Sequence, residues 1–398
     1  MGGVTIRMRI TSVRHSAVEF GYYNTHYVTI EAEGGFTGSA EVAMRRRTRT
    51  VSALLDEMGD FLIGKDARRI EKWNEVLYRD SFLGGTLLTI AVSAIDNALW
   101  DLNARALGIP VYQLLGGAFR DSVQVYSHAR ATTTPERFAA EVEARVSEGF
   151  RAVKTTLPLF YSEVSSIEHR DAPPIDLRAT ETELIPTRTW DAVAEYFAAA
   201  RERVGWDVEL YLDCHGRLSV PNALRLIDAL EPFRLGFIEE PVPYERTEWT
   251  QSVARRSSIP VAAGERWGGL YDAARFLHAG DLAVAQPDVA WCGGITSARK
   301  IASVAQAEGI AMAFHNPLGP LASAAAWHLA ATLPNFLISE AMITPAQAPY
   351  WSRYVDHPPL VENGEWRLDD RPGLGPTLDL DAIADARPDF ALDTGGTR

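Results

Sequence analysis

From residue 123 onward the chain repeats one pattern: a short apolar segment, a loop, then a stretch of helix length. The segments are Val123–His128, Ala152–Thr156, Glu209–His215, Gly236–Pro241, Pro260–Glu265, Ala283–Asp288, Ala311–His315 and Phe336–Glu340. All but the last are clearly followed by a helix-length stretch. Eight βα units in succession predict a (β/α)8 barrel of the TIM type, whose active site sits at the C-terminal ends of the strands.

The residues before this repeat read differently. Residues 4–42 carry strand patterning, with Val4, Ile6, Met8 and Ile10 alternating and a turn at Glu33-Gly34-Gly35. Residues 50–107 read as helices. Ile90, Ala94, Ile95, Ala98, Leu99 and Leu102 recur near helical spacing, and Gly108-Ile109-Pro110 supplies a stop. The expected architecture is a modified barrel with an N-terminal α+β capping domain completed by the C-terminal tail. The expected boundaries are 1–118 for the cap, 119–360 for the barrel and 361–398 for the returning segment. So short a tail cannot bury a core of its own.

A chain of 398 residues that is 46% hydrophobic has ample material for a large core. Its net charge of −13 argues against nucleic acid or an anionic membrane as partner. The basic run Arg45-Arg46-Arg47 with Arg49 reads as a solvated loop. No apolar stretch is long enough for a transmembrane helix, and residues 1–14 lack a signal core. Two cysteines, Cys214 and Cys292, make no disulfide framework, which points to a reducing, cytoplasmic setting.

The charged residues at the ends of the segments carry the chemistry. Asp213, Glu239 and Glu265 end three successive segments, one βα unit apart each time. Three carboxylates at one mouth repel one another unless a cation is bound, and an all-oxygen set suits Mg2+. Each acid alone could instead cap a helix or pair with an Arg; the matched spacing counts against that. His215 follows Asp213 by two residues, so on a strand both face the site and Cys214 packs outward. His215 is then a fourth ligand, a structural histidine or a proton donor beside the metal.

Asp288 and His315 end neighbouring segments. Adjacent strands lie ~4.8 Å apart, so the carboxylate can fix the imidazole tautomer and raise its basicity, as a general base requires. Glu340 ends the eighth segment, as a protonated donor to a developing oxyanion or as a charged orienting group. Lys154, at the end of the second, is a carboxylate partner or a spare base. His128 is expected to line the pocket. Residues 157–189, rich in Pro, Ser and Thr, occupy a βα loop position and read as a lid, an oligomer contact or an insertion.

Taken together, Ala98-Leu99-Trp100-Asp101, Leu114-Leu115-Gly116-Gly117, Phe237-Ile238-Glu239-Glu240-Pro241, Gly264-Glu265, Gln286-Pro287-Asp288 and His315-Asn316-Pro317-Leu318-Gly319-Pro320 resemble the mandelate racemase branch of the enolase superfamily over almost the whole chain. The resemblance implies Asp213, Glu239 and Glu265 as Mg2+ ligands, an Asp288–His315 dyad, and Glu340 contacting the enolate. Racemases of that branch carry Lys-x-Lys on the second strand; here the triplet is Lys154-Thr155-Thr156. Asp213-Cys214-His215 instead resembles the mannonate and galactonate dehydratase type. The expected activity is therefore dehydration of a sugar acid: His315 takes the α proton, His215 protonates the leaving β-hydroxyl, and a 2-keto-3-deoxy acid results. Aromatic residues of the loop 18–24, Tyr22 and Tyr23 among them, are expected to cover the substrate. The resemblance also implies a homo-oligomer, a dimer or an octamer. The alternatives are a racemase or epimerase of an α-hydroxy acid, and a catalytically weak protein that binds an acid sugar.

Overall fold

The computed structural model describes residues 8–20, 23–43, 47–79, 84–130, 134–158, 185–343 and 348–386. The chain opens with an antiparallel meander of β1 (Ile10–Phe20), β2 (Tyr23–Ala32) and β3 (Phe36–Val42). Gly34 and Gly35 turn between β2 and β3 with φ of 90° and 77°, a conformation that favours glycine. Four helices follow: α1 (Thr48–Leu62), α2 (Ile70–Arg79), α3 (Thr86–Leu107) and α4 (Val111–Leu114). Most of α3 is buried, because β3 packs on one side of it and a barrel helix on the other. Its buried polar residues, Ser93, Asp96, Asn97 and Asp101 among them, hydrogen-bond into the elements packed on it. Gly108 closes it in the left-handed conformation, as its position after the apolar run predicts.

The parallel strands are β4 (Ser122–His128), β5 (Ala152–Thr156), β6 (Glu209–Asp213), β7 (Phe237–Glu239), β8 (Val261–Ala263), β9 (Val284–Ala285), β10 (Ala311–Phe314) and β11 (Phe336–Glu340). Each pairs with the next, and β11 pairs back on β4 to close the barrel. The outer ring comprises α5 (Pro135–Ser147), α6 (Thr187–Val204), α7 (Val220–Leu230), α8 (Thr247–Ala254), α9 (Leu270–Leu277), α10 (Gly294–Ala307) and α11 (Pro320–Ala330). One side chain from each strand fills the interior: Tyr126, Ala152, Tyr211, Phe237, Ala262, Val284, Ala313 and Ile338. Large and small residues complement one another there, and Tyr211 stacks on Phe237 at 3.9 Å. Side chains two residues on point the same way along a strand. His128, Lys154, Asp213, Glu239 and Glu340 therefore form the next layer up, at the mouth.

The chain ends with α12 (Ala348–Trp351), β12 (Val355–Asp356), β13 (Glu365–Arg367), β14 (Thr377–Leu378) and α13 (Leu380–Asp385). β13 adds antiparallel to β4, with Trp366 opposite Val123. The tail then returns to the N-terminal unit. The Val111 N–H donates to Gly373, the Leu374 N–H donates to Asp101, and Ile383 packs with Val18 and Tyr27.

Gly38 on β3 marks the closest approach of the meander to α3. A Cβ there would sit 2.2 Å from the Ala98 carbonyl oxygen and 2.4 Å from the Leu102 nitrogen, and both are backbone atoms that cannot turn aside. Gly38→Ala is expected to destabilise the fold by about 1–3 kcal/mol through overpacking. Chemical denaturation measures this, and an unchanged midpoint would show that the contact yields freely.

Candidate active site

The acids expected at the mouth arrive from adjacent strands in register: Thr156 lies beside Asp213, and Asp213 beside Glu239. Lys154, 1% exposed, reaches up between them. Its Nζ donates to Glu239 Oε2 at 2.7 Å and lies 3.8 Å from Asp213 Oδ2 and 3.6 Å from Glu340 Oε1. Burial opposes a charge on this lysine, yet Glu239, Glu340 and Asp213 hold its pKa well above the ordinary range. Of the two roles left open for Lys154, carboxylate partner is the observed one.

Gln286 Nε2 donates to the same oxygen of Glu239 at 3.0 Å. The other oxygen, Oε1, is buried and has no hydrogen-bond partner among the described residues. Burial and the neighbouring Asp213 charge push the Glu239 pKa up to about 7. Asp213 is also buried, but His215 and Lys154 keep it well below the ordinary carboxylate range. An orphaned carboxylate oxygen beside two further acids is a fitting donor for a hard cation. The described residues that can bring single ligand atoms within 4.8 Å of one another are Asp213, His215 and Glu265. Glu239 stands beside this trio, its Oε2 held by Lys154.

His215 reaches the site by a different route from the one its spacing predicts. β6 ends at Asp213, and His215 has φ of 52°, so strand alternation does not orient it. A tight turn does: the His215 N–H donates to Asp213 Oδ1 at 2.9 Å, and its Nε2 lies 2.8 Å from Asp213 Oδ2. Arg266 braces the turn by donating to the His215 carbonyl at 2.8 Å. Cys214 is fully buried, and burial pushes its thiol pKa well up, consistent with a packed, unreactive group.

Asp288 and His315 also sit just past their strands, joined by a single parallel bridge. His315 Nδ1 and Asp288 Oδ2 are 2.8 Å apart, and Asp288 Oδ1 accepts from the Ala290 N–H at 2.8 Å. That leaves Nε2 facing the site, 3.3 Å from Glu265 Oε2 and 3.9 Å from Glu340 Oε2. Burial disfavours a charged ring, but Glu340, Asp288 and Glu265 push its pKa up to about 10. Glu340 hydrogen-bonds His128 Nε2 and accepts from the Asn316 N–H at 2.6 Å. Although it is buried, Lys154, His315 and His128 hold its pKa well below the usual range. These cationic neighbours favour the charged form of Glu340, the orienting option, over the protonated donor.

Three contributors were not singled out from the sequence. Gln286 and Asn316 orient Glu239 and Glu340, and their only signal is membership of the Gln-Pro-Asp and His-Asn-Pro motifs. Arg266 follows Glu265 directly; its Nε lies 3.1 Å from that carboxylate. Tyr22, Arg45, Arg46 and residues 159–184 of the expected lid lie outside the described residues, as does the side chain of Tyr23.

The model of the mandelate racemase/muconate lactonizing enzyme N-terminal domain matches residues 6–116, and the enolase C-terminal domain-like model matches residues 137–382. The chain belongs to the mandelate racemase/muconate lactonizing enzyme family of the enolase superfamily. Within this family it is 37% identical over 366 residues to a D-galactonate dehydratase of Klebsiella pneumoniae (strain 342), covering 90% of this chain and 89% of that one. A mandelate racemase/muconate lactonizing enzyme-like protein from Rubrobacter xylanophilus superposes with a TM-score of 0.85 at 31% identity, over 96% of this chain and 98% of that one. An enolase from Pantoea ananatis, solved with bound D-gluconate and Mg, gives a TM-score of 0.84 at 28% identity, over 96% and 95%.

The raised pKa of Glu239 sets a pH dependence. Its folded value of about 7 exceeds the ordinary 4.5, so the folded state holds the proton more tightly than the unfolded. Its contribution to the metal-free protein's stability therefore falls as pH rises from about 4.5 to about 7. A cation that binds the ionised form should stabilise the protein more at the upper end of that window. Thermal denaturation with EDTA and with Mg2+ checks this; a Mg2+-induced shift in Tm that is the same at both ends contradicts it.

Proposed function

We propose that this protein is a Mg2+-dependent acid-sugar dehydratase acting on an aldonate such as galactonate or mannonate. The observation that carries the reading is the placement of two histidines: His315, backed by Asp288, and His215, held on Asp213, both face the same acidic mouth. The D-galactonate dehydratase relatives and the gluconate- and Mg-bound neighbour support the substrate class. Mg2+ would be held by Asp213, Glu239 and Glu265, whose buried oxygens suit it. When bound, it supplies charge that lowers the cost of forming a dianion beside the substrate carboxylate.

The remaining work belongs to the chain. His315 Nε2 removes the proton α to the carboxylate as general base, with Asp288 holding its tautomer. Glu340, anchored by His128, Lys154 and the Asn316 N–H, orients the reacting carboxylate and the His315 ring. His215 delivers a proton to the β-hydroxyl as the C–O bond breaks, and water leaves. The enol product tautomerises to a 2-keto-3-deoxy acid. His128, at the edge of the mouth, would contact the sugar. A racemase would need a second base, Lys154 or His215; Lys154 is tied to Glu239, and product analysis separates the His215 case, because only dehydration yields a 2-keto acid.

The division into a cap at 1–118, a barrel at 119–360 and a returning segment at 361–398 fits this assignment. No helix of the described residues is long and apolar enough to cross a membrane. We take the site of action to be the cytoplasm and the working state to be a homo-oligomer.

His315→Asn is expected to lower 2-keto acid formation by about 10²–10⁴-fold with the fold intact. His215→Asn should block water loss while still exchanging the substrate α proton with deuterated solvent. A panel of aldonic acids with Mg2+, followed by 2-keto acid formation and by NMR, tests both. Full dehydration by His215→Asn would remove it as the acid. Binding of a sugar acid without turnover by the unaltered protein would favour a binding role.

A further inference from the structure

We infer that the N-terminal unit positions the His315–Asp288 pair by capping, from outside the barrel, the two helices that follow it. The inference rests on the reading of His315 as the base. The first backbone N–H groups of any helix lack partners within the helix. α10 begins six residues after Asp288, and α11 five residues after His315. Both have glycine at the N-cap, Gly293 and Gly319, with no side-chain cap of their own, whereas α5 caps itself with Thr134.

The partners come from the N-terminal unit instead. On α3, Ser93 Oγ accepts from the N–H groups of Gly293 and Gly294 at 2.8 and 3.1 Å. Asn97 Oδ1 accepts from the Ile295 N–H at 2.9 Å, and Asp96 Oδ2 from the Thr296 N–H at 3.0 Å. Asn97 also donates to the carbonyl of Val289, next to Asp288, at 3.3 Å. On β3, the buried carboxylate of Glu41 accepts from the Gly319 N–H at 2.8 Å and the Ala322 N–H at 3.4 Å. The fixed start of α11 in turn holds Asn316, whose Nδ2 donates to Ser323 at 2.8 Å and whose N–H donates to Glu340.

The glycines keep this approach open. A Cβ on Gly294 would lie 2.3 Å from Asp96 Oδ2, and one on Gly319 would lie 2.8 Å from Glu41 Oε1 and 2.6 Å from the Trp351 ring. A carboxylate at a helix N-terminus is favoured by the helix dipole as well as by its hydrogen bonds. Glu41 is thus a positioning residue for His315, and Ser93, Asp96 and Asn97 are positioning residues for Asp288. None of them touches the reacting atoms.

The test compares Glu41→Ala, Glu41→Gln and Ser93→Ala in the full chain. Backbone hydrogen exchange, read without substrate, should quicken at 319–323 in Glu41→Ala and at 293–297 in Ser93→Ala, each leaving the other segment unchanged. The downfield proton that His315 Nδ1 shares with Asp288 should broaden in Glu41→Ala. In turnover, Glu41→Ala should lose about 10–100-fold in kcat, the scale of a small misplacement, while KM stays within a few-fold. Glu41→Gln, which keeps one carbonyl acceptor, should recover most of the loss. Uniformly faster exchange, an unchanged His315 resonance, or a rise in KM without a fall in kcat would overturn the inference. Failure of the unaltered protein to dehydrate any sugar acid would instead defeat the dehydratase reading, and the exchange and His315 signals would still decide the capping.

Discussion

Like charges crowded into a nonpolar setting govern this molecule's mouth. Asp213, Glu239, Glu265 and Glu340 are all buried, and each lies within 4 Å of a cationic or protonatable side chain. Carboxylates so placed cannot all remain ionised without positive charge among them. Lys154, His215 and His315 supply part of it. The raised pKa of Glu239 and its unpartnered oxygen show that the balance is incomplete. The same acids raise the His315 pKa in the absence of a cation. A divalent ion among the acids would weaken their hold on the ring proton and leave the imidazole free to act as a base.

The barrel makes such crowding possible. Its interior layer, one side chain per strand, is a rigid apolar floor, and strand alternation lifts five polar residues from it in fixed directions. Tyr126 of that floor lies 5.2 Å under the Lys154 ammonium. Loops then bring in what the strands cannot. Gly264, at φ of 144° and pressed against the Gln286 backbone, ends β8 early and swings Glu265 over the mouth. Asp213, Glu239 and Glu340 are thereby mounted on strands, while Glu265, His215 and the dyad sit on turns just past them.

How much of this could be read in advance depends on how local each cause is. β5 and β11 run from Ala152 to Thr156 and from Phe336 to Glu340, the bounds that their short strand-like segments indicate. The acids and the dyad were legible because one βα unit returns each to the same end of the barrel. The orientation of His215 was not: a left-handed turn, invisible in residue spacing, does what alternation was expected to do. The ionised state of Glu340 was equally hidden, since it depends on His128 and Lys154 from two other strands. Glu41 gave no signal at all, being 278 residues from the helix it caps.

Dehydration by this site requires a cation held by oxygens, with His215 left free to carry a proton. Crystals grown with Mn2+ would locate the ion directly through its anomalous scattering. The ion is expected to bond to Asp213, Glu239 and Glu265, with His215 off the metal. An ion held by Asp213, His215 and Glu265 while Glu239 stays paired with Lys154 would contradict this.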